Sequence, residues 1–272
     1  MLRAGLRVGL IGCGAIGSVV ARELAAGAVD QVELSGVFDL EVGHRLGVPD
    51  IDTLLRCSDV IVEAAGQEAL RQYGVRVREA GVDLLVVSIG ALVDQDLEAS
   101  IRHAQGGHLY LCTGAIGGFD ILRAALQFGP LQEVRITSTK PARSLKRPWM
   151  SQSLLDALDS GAGSAANFQA SGVVTVFDGT AREASKKFPE SANVTATLSL
   201  ATVGFDKVRV QLLGDPEATG VRHEVYAAGA AGTYELSFAN VASADNPRTS
   251  AVTAYAVLRA LGDINRPSVS VL

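Results

Sequence analysis

The first half of the chain alternates short apolar runs with segments whose apolar residues recur at helical spacing. Runs rich in Val, Ile and Leu are typical of strands buried on both faces. Their alternation with helical segments predicts βαβ units and a parallel sheet. The predicted strands are LRVGLIGC, VELSGVFDL, SDVIVEAAG, VDLLVVSIGAL and HLYLCTGAIGG, and the predicted helices are AIGSVVARELAAG, QEALRQYGVRVREAG and DQDLEASIRHAQGG.

The pattern changes after about residue 130, where polar and apolar residues alternate along short segments. Such alternation predicts a mostly antiparallel sheet with one covered face. The predicted strands are EVRITSTKP, GVVTVFDGT, NVTATLSLATV, KVRVQLLGD, RHEVYAAGAAG and TYELSFANV. One helix, TAREASKKF, interrupts them, and the tail PRTSAVTAYAVLRALGDI has the apolar stripe of a helix. The predicted fold class is therefore α/β, with a doubly wound parallel sheet followed by an α+β domain.

The amino-acid composition and net charge restrict the class of protein and the partners that it can have. The chain has 272 residues, of which 48% are hydrophobic and 19% charged, which is typical of a folded protein with a sizeable core. A net charge of −5 argues against a nucleic-acid partner. No apolar stretch is long enough to cross a membrane, and the apolar N-terminus lacks a signal-peptide cleavage site. We therefore expect a cytoplasmic protein that binds neither nucleic acid nor membrane.

The three cysteines do not indicate a metal site. The number of cysteines is odd, and the spacing of Cys13, Cys57 and Cys112 fits no zinc-binding pattern. Free thiols in a reducing compartment are the interpretation that we prefer, and no bound metal is expected.

A glycine motif joins the first predicted strand to the first predicted helix. Gly12, Gly14 and Gly17 have the spacing G-x-G-x-x-G. These glycines permit a tight turn, close approach of a pyrophosphate to the backbone, and close helix packing, while free N–H groups of the helix face the phosphates. The motif predicts a dinucleotide site that includes Ala15 and Ile16, and the alternative is an ordinary tight turn.

The acid that ends the second predicted strand bears on the choice of dinucleotide. Asp39 stands 22 residues after Gly17, where a carboxylate accepts hydrogen bonds from the adenosine ribose. It would repel a 2′-phosphate, and neither Leu40 nor Glu41 supplies a compensating cation. NAD is therefore the expected cofactor, and NADP remains an alternative because Arg45 is nearby.

Several residues in the second half have the chemistry that hydride transfer needs beyond its cofactor. His223 suits general acid–base catalysis near neutral pH, although a lone histidine at a strand start is more often structural. Lys140 lies in the cationic run TKPARSLKRPW, which is either a site for substrate carboxylates or a solvated loop. Asn246 and Thr249, in the turn NPRTS, are further candidates for substrate binding, and Thr249 or Ser250 is also a candidate N-cap of the last helix.

A second glycine cluster, TGAIGGFD at 113–120, follows the fifth predicted strand. Ligands bind at this edge of open α/β sheets, so the cluster is either a ligand-binding turn or an interdomain hinge, or both.

The order of motifs along the chain resembles the L-aspartate dehydrogenase family. The matching segments are GLIGCGAIG, EAAGQEALRQYG, VDLLVVSIGAL, TGAIGGFD, TSTKP, FDGTAREASKKFPESANVTATLSLA, GDP, RHEV and DNPRTSAVTAYAVLRAL. The resemblance implies NAD(P)-dependent oxidation of L-aspartate to iminoaspartate, which releases ammonia to give oxaloacetate and is associated with NAD synthesis. It also implies cofactor contacts at Ala115 and Asn193 and a catalytic histidine at His223.

The resemblance further implies an architecture. A Rossmann domain would cover residues 1–118, an α+β domain residues 119–248, and a last helix within 249–272 would return to the Rossmann domain. Enzymes of this build are usually homodimers or higher homo-oligomers, often through the second sheet. The chain has Glu190 and Ser191 where the family often has Lys-Asn, and Val221 where it tends to have Asn, which bears on substrate preference.

Two alternatives stay open at this stage. One is another amino-acid or keto-acid dehydrogenase of the same build, resembling homoserine dehydrogenase or dihydrodipicolinate reductase. The latter family's paired histidines with a nearby lysine are absent from the sequence. The other alternative is a non-catalytic NAD-binding sensor, which would bind the cofactor and turn over no dicarboxylic amino acid.

Overall fold

A computed structural model describes residues 5–40, 45–160, 172–243 and 249–265. The chain divides into two compact units, one formed by residues 1–114 with 253–272 and the other by residues 115–252. Each boundary lies four residues from the one expected from the sequence, at 114 instead of 118 and at 252 instead of 248.

The first unit contains a parallel five-stranded sheet in the order β2-β1-β3-β4-β5. All five predicted strands and the three predicted helices of this unit are present, and a short helix that was not predicted, α2, follows β2. A 3-10 turn at Ile89–Val93 follows β4. In chain order the elements are β1 Leu6–Ile11, α1 Ala15–Ala25, β2 Val32–Phe38, α2 Ile51–Cys57, β3 Val60–Glu63, α3 Gln67–Glu79, β4 Asp83–Val86, α4 Gln95–His103 and β5 Leu109–Leu111.

The last helix of the chain, α9 (Val252–Asn265), completes the core of this first unit. Val257 and Leu261 are fully buried in one apolar cluster with Val8 and Val20 of β1 and α1. The Asn265 side chain also donates to the carbonyl oxygens of residues 30 and 31, just before β2. The predicted return of the last helix to the Rossmann domain is therefore confirmed.

The second unit contains a five-stranded sheet in the order β10-β9-β6-β8-β7. The pair β6 and β8 is parallel and the other three pairs are antiparallel, so the predicted mostly antiparallel sheet is confirmed. Helices α5 and α6 were not predicted. The elements are α5 Phe119–Phe128, β6 Leu131–Pro141, α6 Gln152–Ser160, β7 Val174–Thr180, α7 Ala181–Lys187, α8 Ala192–Ala201, β8 Arg209–Asp215, β9 Val221–Gly229 and β10 Gly232–Asn240.

One predicted strand of this unit was wrong, because the segment NVTATLSLATV forms helix α8. Its β-branched residues and alternation favour a strand. In the structure, the hydroxyls of Thr197, Ser199 and Thr202 each donate to the carbonyl oxygen four residues earlier, which satisfies them inside a helix. Most of the helix is buried, so tertiary packing overrides the local preference.

The sheet of the second unit has one buried and one open face. Along β6, Val134 and Ile136 are buried whereas Glu133 and Arg135 are exposed. The same alternation runs along β9. The buried face continues past its apolar part to polar residues at the end of β6, and these residues form part of the site described below.

Candidate functional site

The glycine loop after β1 is built so that side chains are excluded at two of its three glycines. Gly12 has φ +93°, and a Cβ atom there would lie 2.5 Å from the Cα atom of Ala65. A Cβ atom at Gly17 would lie 2.1 Å from the carbonyl oxygen of Gly12. Both positions therefore require glycine for the packing of the loop against β3 and α1, whether or not a ligand binds.

Gly14 is different, because a Cβ atom there would meet no other atom within 4 Å. It is exposed, and it caps α1, whose first turn contains the half-buried Ala15 and Ile16. N–H groups in the first turn of a helix lack intrahelical acceptors and attract phosphates. Among the described residues no atom fills the space next to Gly14, so the loop leaves room for a ligand phosphate beside the free N–H groups of the helix.

Asp39, which follows β2, comes to this loop. Its Oδ2 accepts a hydrogen bond of 2.6 Å from the backbone N–H of Cys13, and its neighbour Leu40 is 85% exposed. Burial, and secondarily the Asp39 charge, raise the pKa of the Cys13 thiol, so the thiol stays protonated. The structure therefore brings the predicted acid and the predicted glycine loop together.

Glu63, at the end of β3, is a functional candidate that the sequence reasoning missed. Its side chain is 1% exposed and accepts four hydrogen bonds, from the N–H groups of Ala65, Gly66 and Ser88 and from the Ser88 hydroxyl. The signal was present in the sequence, because an acid ends the apolar run VIVE. Acids are seldom fully buried without a specific set of partners.

In the second unit, His223 on β9 lies beside Ser138 on β6. The two residues are paired in the sheet, and Ser138 Oγ lies 2.8 Å from His223 Nδ1. Both side chains are buried on the face that is otherwise apolar. Burial, and secondarily the charge of Lys140, lower the pKa of His223 to about 3, so the imidazole is neutral near pH 7.

Lys140 joins this cluster from the same strand, two residues after Ser138. Its Nζ donates a 2.9 Å hydrogen bond to Oγ of Ser191, the residue before α8. Asn193 lies in the first turn of α8, where its carbonyl oxygen accepts from the Thr197 hydroxyl. A buried imidazole, an ammonium group and the start of a helix therefore converge, which suits an anionic ligand with an exchangeable proton.

The turn that carries Ala115 is fixed on the neighbouring strand β10. Asn240 Nδ2 donates a 2.8 Å hydrogen bond to the carbonyl oxygen of Ala115. A Cβ atom at Gly118 would lie 2.6 Å from a methyl group of Leu236, so the turn packs closely on β10. Phe238 of β10 is paired with His223 of β9, so the turn packs on the strand next to the one that carries the histidine.

The remaining candidates are not brought to this cluster by the described contacts. Asn246 lies outside the described residues. Thr249 is half-buried, and its carbonyl oxygen accepts from the N–H of Ser243 beside a short bridge between Ala242 and Ser250. Cys112, which was expected from the sequence to be a free thiol and not a site residue, is buried, and burial raises its pKa to about 11, so it would be a poor nucleophile.

Two negative findings hold for the described part of the chain. No group of three or more His, Cys, Asp or Glu residues there could hold a metal ion. None of the helices described is both long and apolar enough to cross a membrane.

A glycine loop with room for a pyrophosphate on a parallel sheet, followed in the chain by an α+β unit with a buried imidazole, is typical of NAD(P)-dependent oxidoreductases. Two family models match the chain: "Homoserine dehydrogenase, NAD binding domain" over residues 12–110 and "Aspartate dehydrogenase, C-terminal" over residues 120–264. The chain belongs to the aspartate dehydrogenase family, which confirms the resemblance found in the sequence.

Individual relatives agree with this assignment. The L-aspartate dehydrogenase of Pseudomonas aeruginosa is 38% identical, over 95% of this chain and 97% of the relative. That of Methanocaldococcus jannaschii is 32% identical, over 96% and 98%. The solved structure of aspartate dehydrogenase from Thermotoga maritima matches with a TM-score of 0.72 and 23% identity, over 97% of this chain and 99% of that one, which shows a shared fold.

Proposed function

We propose that the enzyme oxidises L-aspartate with NAD⁺ to iminoaspartate, NADH and a proton, and that released iminoaspartate hydrolyses to oxaloacetate and ammonia. The observation that carries this proposal is the buried His223, held by Ser138 and close to Lys140, within a domain that matches the aspartate dehydrogenase model. The relatives' names support the choice of L-aspartate as substrate.

The proposed cofactor site lies at the glycine loop. Gly12 and Gly17 shape the loop, and Gly14 leaves room for the pyrophosphate, which would accept hydrogen bonds from the first turn of α1 at Ala15 and Ile16. Ala115 and Asn193 are proposed as further cofactor contacts, on the basis of the family resemblance. When it is bound, the nicotinamide ring accepts the hydride from the substrate α-carbon.

NAD is proposed as the preferred cofactor over NADP. The Asp39 carboxylate is held beside the glycine loop by its bond to the Cys13 N–H, where it suits ribose hydroxyls and repels a 2′-phosphate.

His223 is proposed as the catalytic base. As the α-carbon loses its hydride, the substrate ammonium group must lose one proton for the neutral nitrogen lone pair to form the C=N bond. A neutral imidazole can accept that proton, and the low pKa of His223 ensures that it is neutral in the free protein. Ser138 fixes the ring through Nδ1, which leaves Nε2 for the substrate.

Lys140 is proposed to bind a substrate carboxylate, with Asn246 and Thr249 as candidates for the second carboxylate. Burial is the main cause of the lowered pKa of His223 in the free protein, and the Lys140 charge is the second, which a bound carboxylate would offset. Substrate binding would therefore raise the basicity of His223 when a base is needed.

The test is an NADH-absorbance assay of the purified protein with L-aspartate, D-aspartate, L-glutamate and L-homoserine, and of the reverse reaction with oxaloacetate and ammonia. We expect turnover with L-aspartate and a kcat about 10²- to 10⁴-fold lower for His223→Ala, with NADH affinity retained. The exposed His103 supplies the control, because His103→Ala should leave kcat unchanged.

Normal kcat in a less stable His223→Ala protein would contradict the catalytic role. NADH binding without turnover of any of these substrates would indicate a sensor instead, and turnover of L-homoserine alone would indicate the other dehydrogenase class.

We also propose a homodimer formed through the open face of the second sheet. That face carries two ion pairs within the chain, Arg135 with Glu133 on β6 and Arg209 of β8 with Asp178 of β7, and two copies could exchange these partners across an interface. Light scattering should give twice the chain mass, and Arg135→Glu should weaken the dimer. A monomer at micromolar concentration would refute this proposal.

The cellular setting is a separate proposal. The three cysteines are free, as is usual in a reducing compartment, and this supports a cytoplasmic enzyme whose iminoaspartate feeds NAD synthesis. Cell fractionation tests the location, and NAD levels after deletion test the metabolic role.

A further inference from the structure

The apolar sheet of the first unit contains one fully buried acid in the strand next to the glycine loop. Glu63 ends β3, where Val60, Ile61 and Val62 are completely buried, and its own side chain is 1% exposed. Burial of a carboxyl group is costly unless its oxygens are well supplied with donors. The reaction proposed above assigns it no part.

The bonds of Glu63 join two loops at the carboxyl edge of the sheet. Oε1 accepts from the N–H groups of Ala65 and Gly66, at 3.0 and 2.9 Å, and from the Ser88 hydroxyl at 3.0 Å. Oε2 accepts from the Ser88 N–H at 3.1 Å. The turn between β3 and α3 and the segment after β4 are therefore held by one side chain.

The same turn also supports the glycine loop. The N–H of Ala64 donates to the carbonyl oxygen of Ile11 at 2.9 Å, and Ala65 packs directly against Gly12. The three chain segments that leave β1, β3 and β4 are thus connected at the edge where open α/β sheets bind their ligands.

The strand order indicates which part of the cofactor these loops meet. Chain order reverses between β1 and β3, and a dinucleotide crosses the sheet edge at such a point. Asp39 stands on the β2 side, where the adenosine would bind. The other nucleoside of a bound dinucleotide would therefore lie over the ends of β3 and β4.

We propose that Glu63 is a positioning residue that fixes the β3 and β4 loops for the nicotinamide nucleoside of the cofactor. It acts through Ala65, Gly66 and Ser88. The proposal rests on NAD(P) binding by this domain and is independent of the substrate and of His223.

The donor set explains why a carboxyl group is needed. All four partners donate, and an ionised carboxyl group only accepts. Burial raises the pKa of Glu63, while these hydrogen bonds oppose that shift. A glutamine amide would turn its own N–H groups toward at least one of the donors, leaving buried groups unsatisfied.

The test compares two ligands on Glu63→Gln. NADH spans both nucleosides and is titrated by its fluorescence, while ADP covers the adenosine and pyrophosphate and is titrated by calorimetry. We expect the Kd for NADH to rise about tenfold, as for loss of one charge-assisted hydrogen bond, and the Kd for ADP to stay within about twofold. Glu68→Gln is the control, since that acid is in the first turn of α3 with its side chain 87% exposed.

A second variant covers the case in which Glu63→Gln does not fold. Ser88→Ala removes one of the four donors, and we expect a rise of about threefold in the Kd for NADH alone. Equal weakening of NADH and ADP would show that Glu63 supports the whole domain, and an unchanged Kd for NADH would show that it positions nothing there. Either result would overturn the proposal.

Discussion

The glycine loop of the first unit and the histidine cluster of the second are built in opposite ways. The loop is a run of six residues, Gly12 to Gly17, whose proposed function depends on backbone N–H groups and on missing side chains. The cluster depends on side chains, and its central pair, Ser138 and His223, is 85 residues apart. A site made by local backbone geometry has a spacing that can be recognised in sequence, whereas a site made by strand pairing has none.

The difference extends to burial. Gly14 is exposed, with room for a Cβ atom among the described residues, while His223 and Ser138 are buried in the sheet face. Changes in the loop should therefore separate binding from stability, and changes in the cluster should couple protonation to stability. Four experiments test this contrast, from the largest expected effect to the smallest.

The largest effect concerns two glycines of the same loop. Gly14→Val places a side chain where the structure has space, so the protein should fold normally while the Kd for NADH rises about 100-fold through lost phosphate contacts. Gly17→Ala pushes a Cβ atom against the Gly12 carbonyl oxygen and should lower the melting temperature. Calorimetric titration and thermal unfolding of both variants separate the two roles. Unchanged NADH affinity in Gly14→Val would remove the phosphate site from this loop.

The next effect tests the buried cluster through acid stability. The folded pKa of His223 is about 3 and its ordinary value is 6.5, so between these pH values only the unfolded chain takes up the proton. The free energy of unfolding should therefore decrease as the pH is lowered, by about 2 kcal/mol between pH 7 and pH 5. This decrease corresponds to a factor of roughly 30 in the unfolding equilibrium constant.

His223→Asn should lose this pH dependence. Urea unfolding of both proteins at the two pH values measures this pH dependence. The raised pKa of Glu63 contributes a pH dependence of opposite sign. Both proteins contain Glu63, so its contribution cancels when the two are compared. If the free energy of unfolding changes equally with pH in the two proteins, His223 takes up its proton in the folded state too, and its pKa is not lowered.

A smaller effect is expected for cofactor choice. Asp39→Ser with Leu40→Arg removes the carboxylate beside the loop and adds a cation at a residue that is 85% exposed. The ratio of kcat/KM for NAD to that for NADP should shift at least tenfold toward NADP. Leu40→Arg alone is the control for the added charge. If the unaltered enzyme already prefers NADP tenfold, Asp39 does not face the ribose.

The smallest effect is expected at Ser138. Ser138→Ala removes the hydroxyl that holds Nδ1 of His223 and should lower kcat about fivefold, by the value of one hydrogen bond, with the Kd for NADH unchanged. Thr137→Ala, on the other face of the same strand, is the control and should leave kcat unchanged. If both variants lose kcat equally, the loss comes from a general disturbance of strand β6 and not from the hydrogen bond to His223.

The sequence by itself determined the class of fold and the position of the glycine loop. Short apolar runs identified all five strands of the first sheet. Both faces of that sheet are covered, so most residues of each strand are apolar. The spacing of Gly12, Gly14 and Gly17 is required by contacts within one turn, so it can be read without knowing the rest of the molecule.

Tertiary structure alone decided the rest. Helix α8 overrode a strand-like pattern, because burial and hydroxyl bonds within the helix outweighed local preference. Sheet register brought Ser138 to His223, and the pairing of β3 with β4 brought Ser88 to Glu63, a contact that the residues next to Glu63 in the sequence do not reveal. Strand pairing joins residues far apart in the chain, and the free energy of burying a polar group depends on partners that only the folded structure supplies.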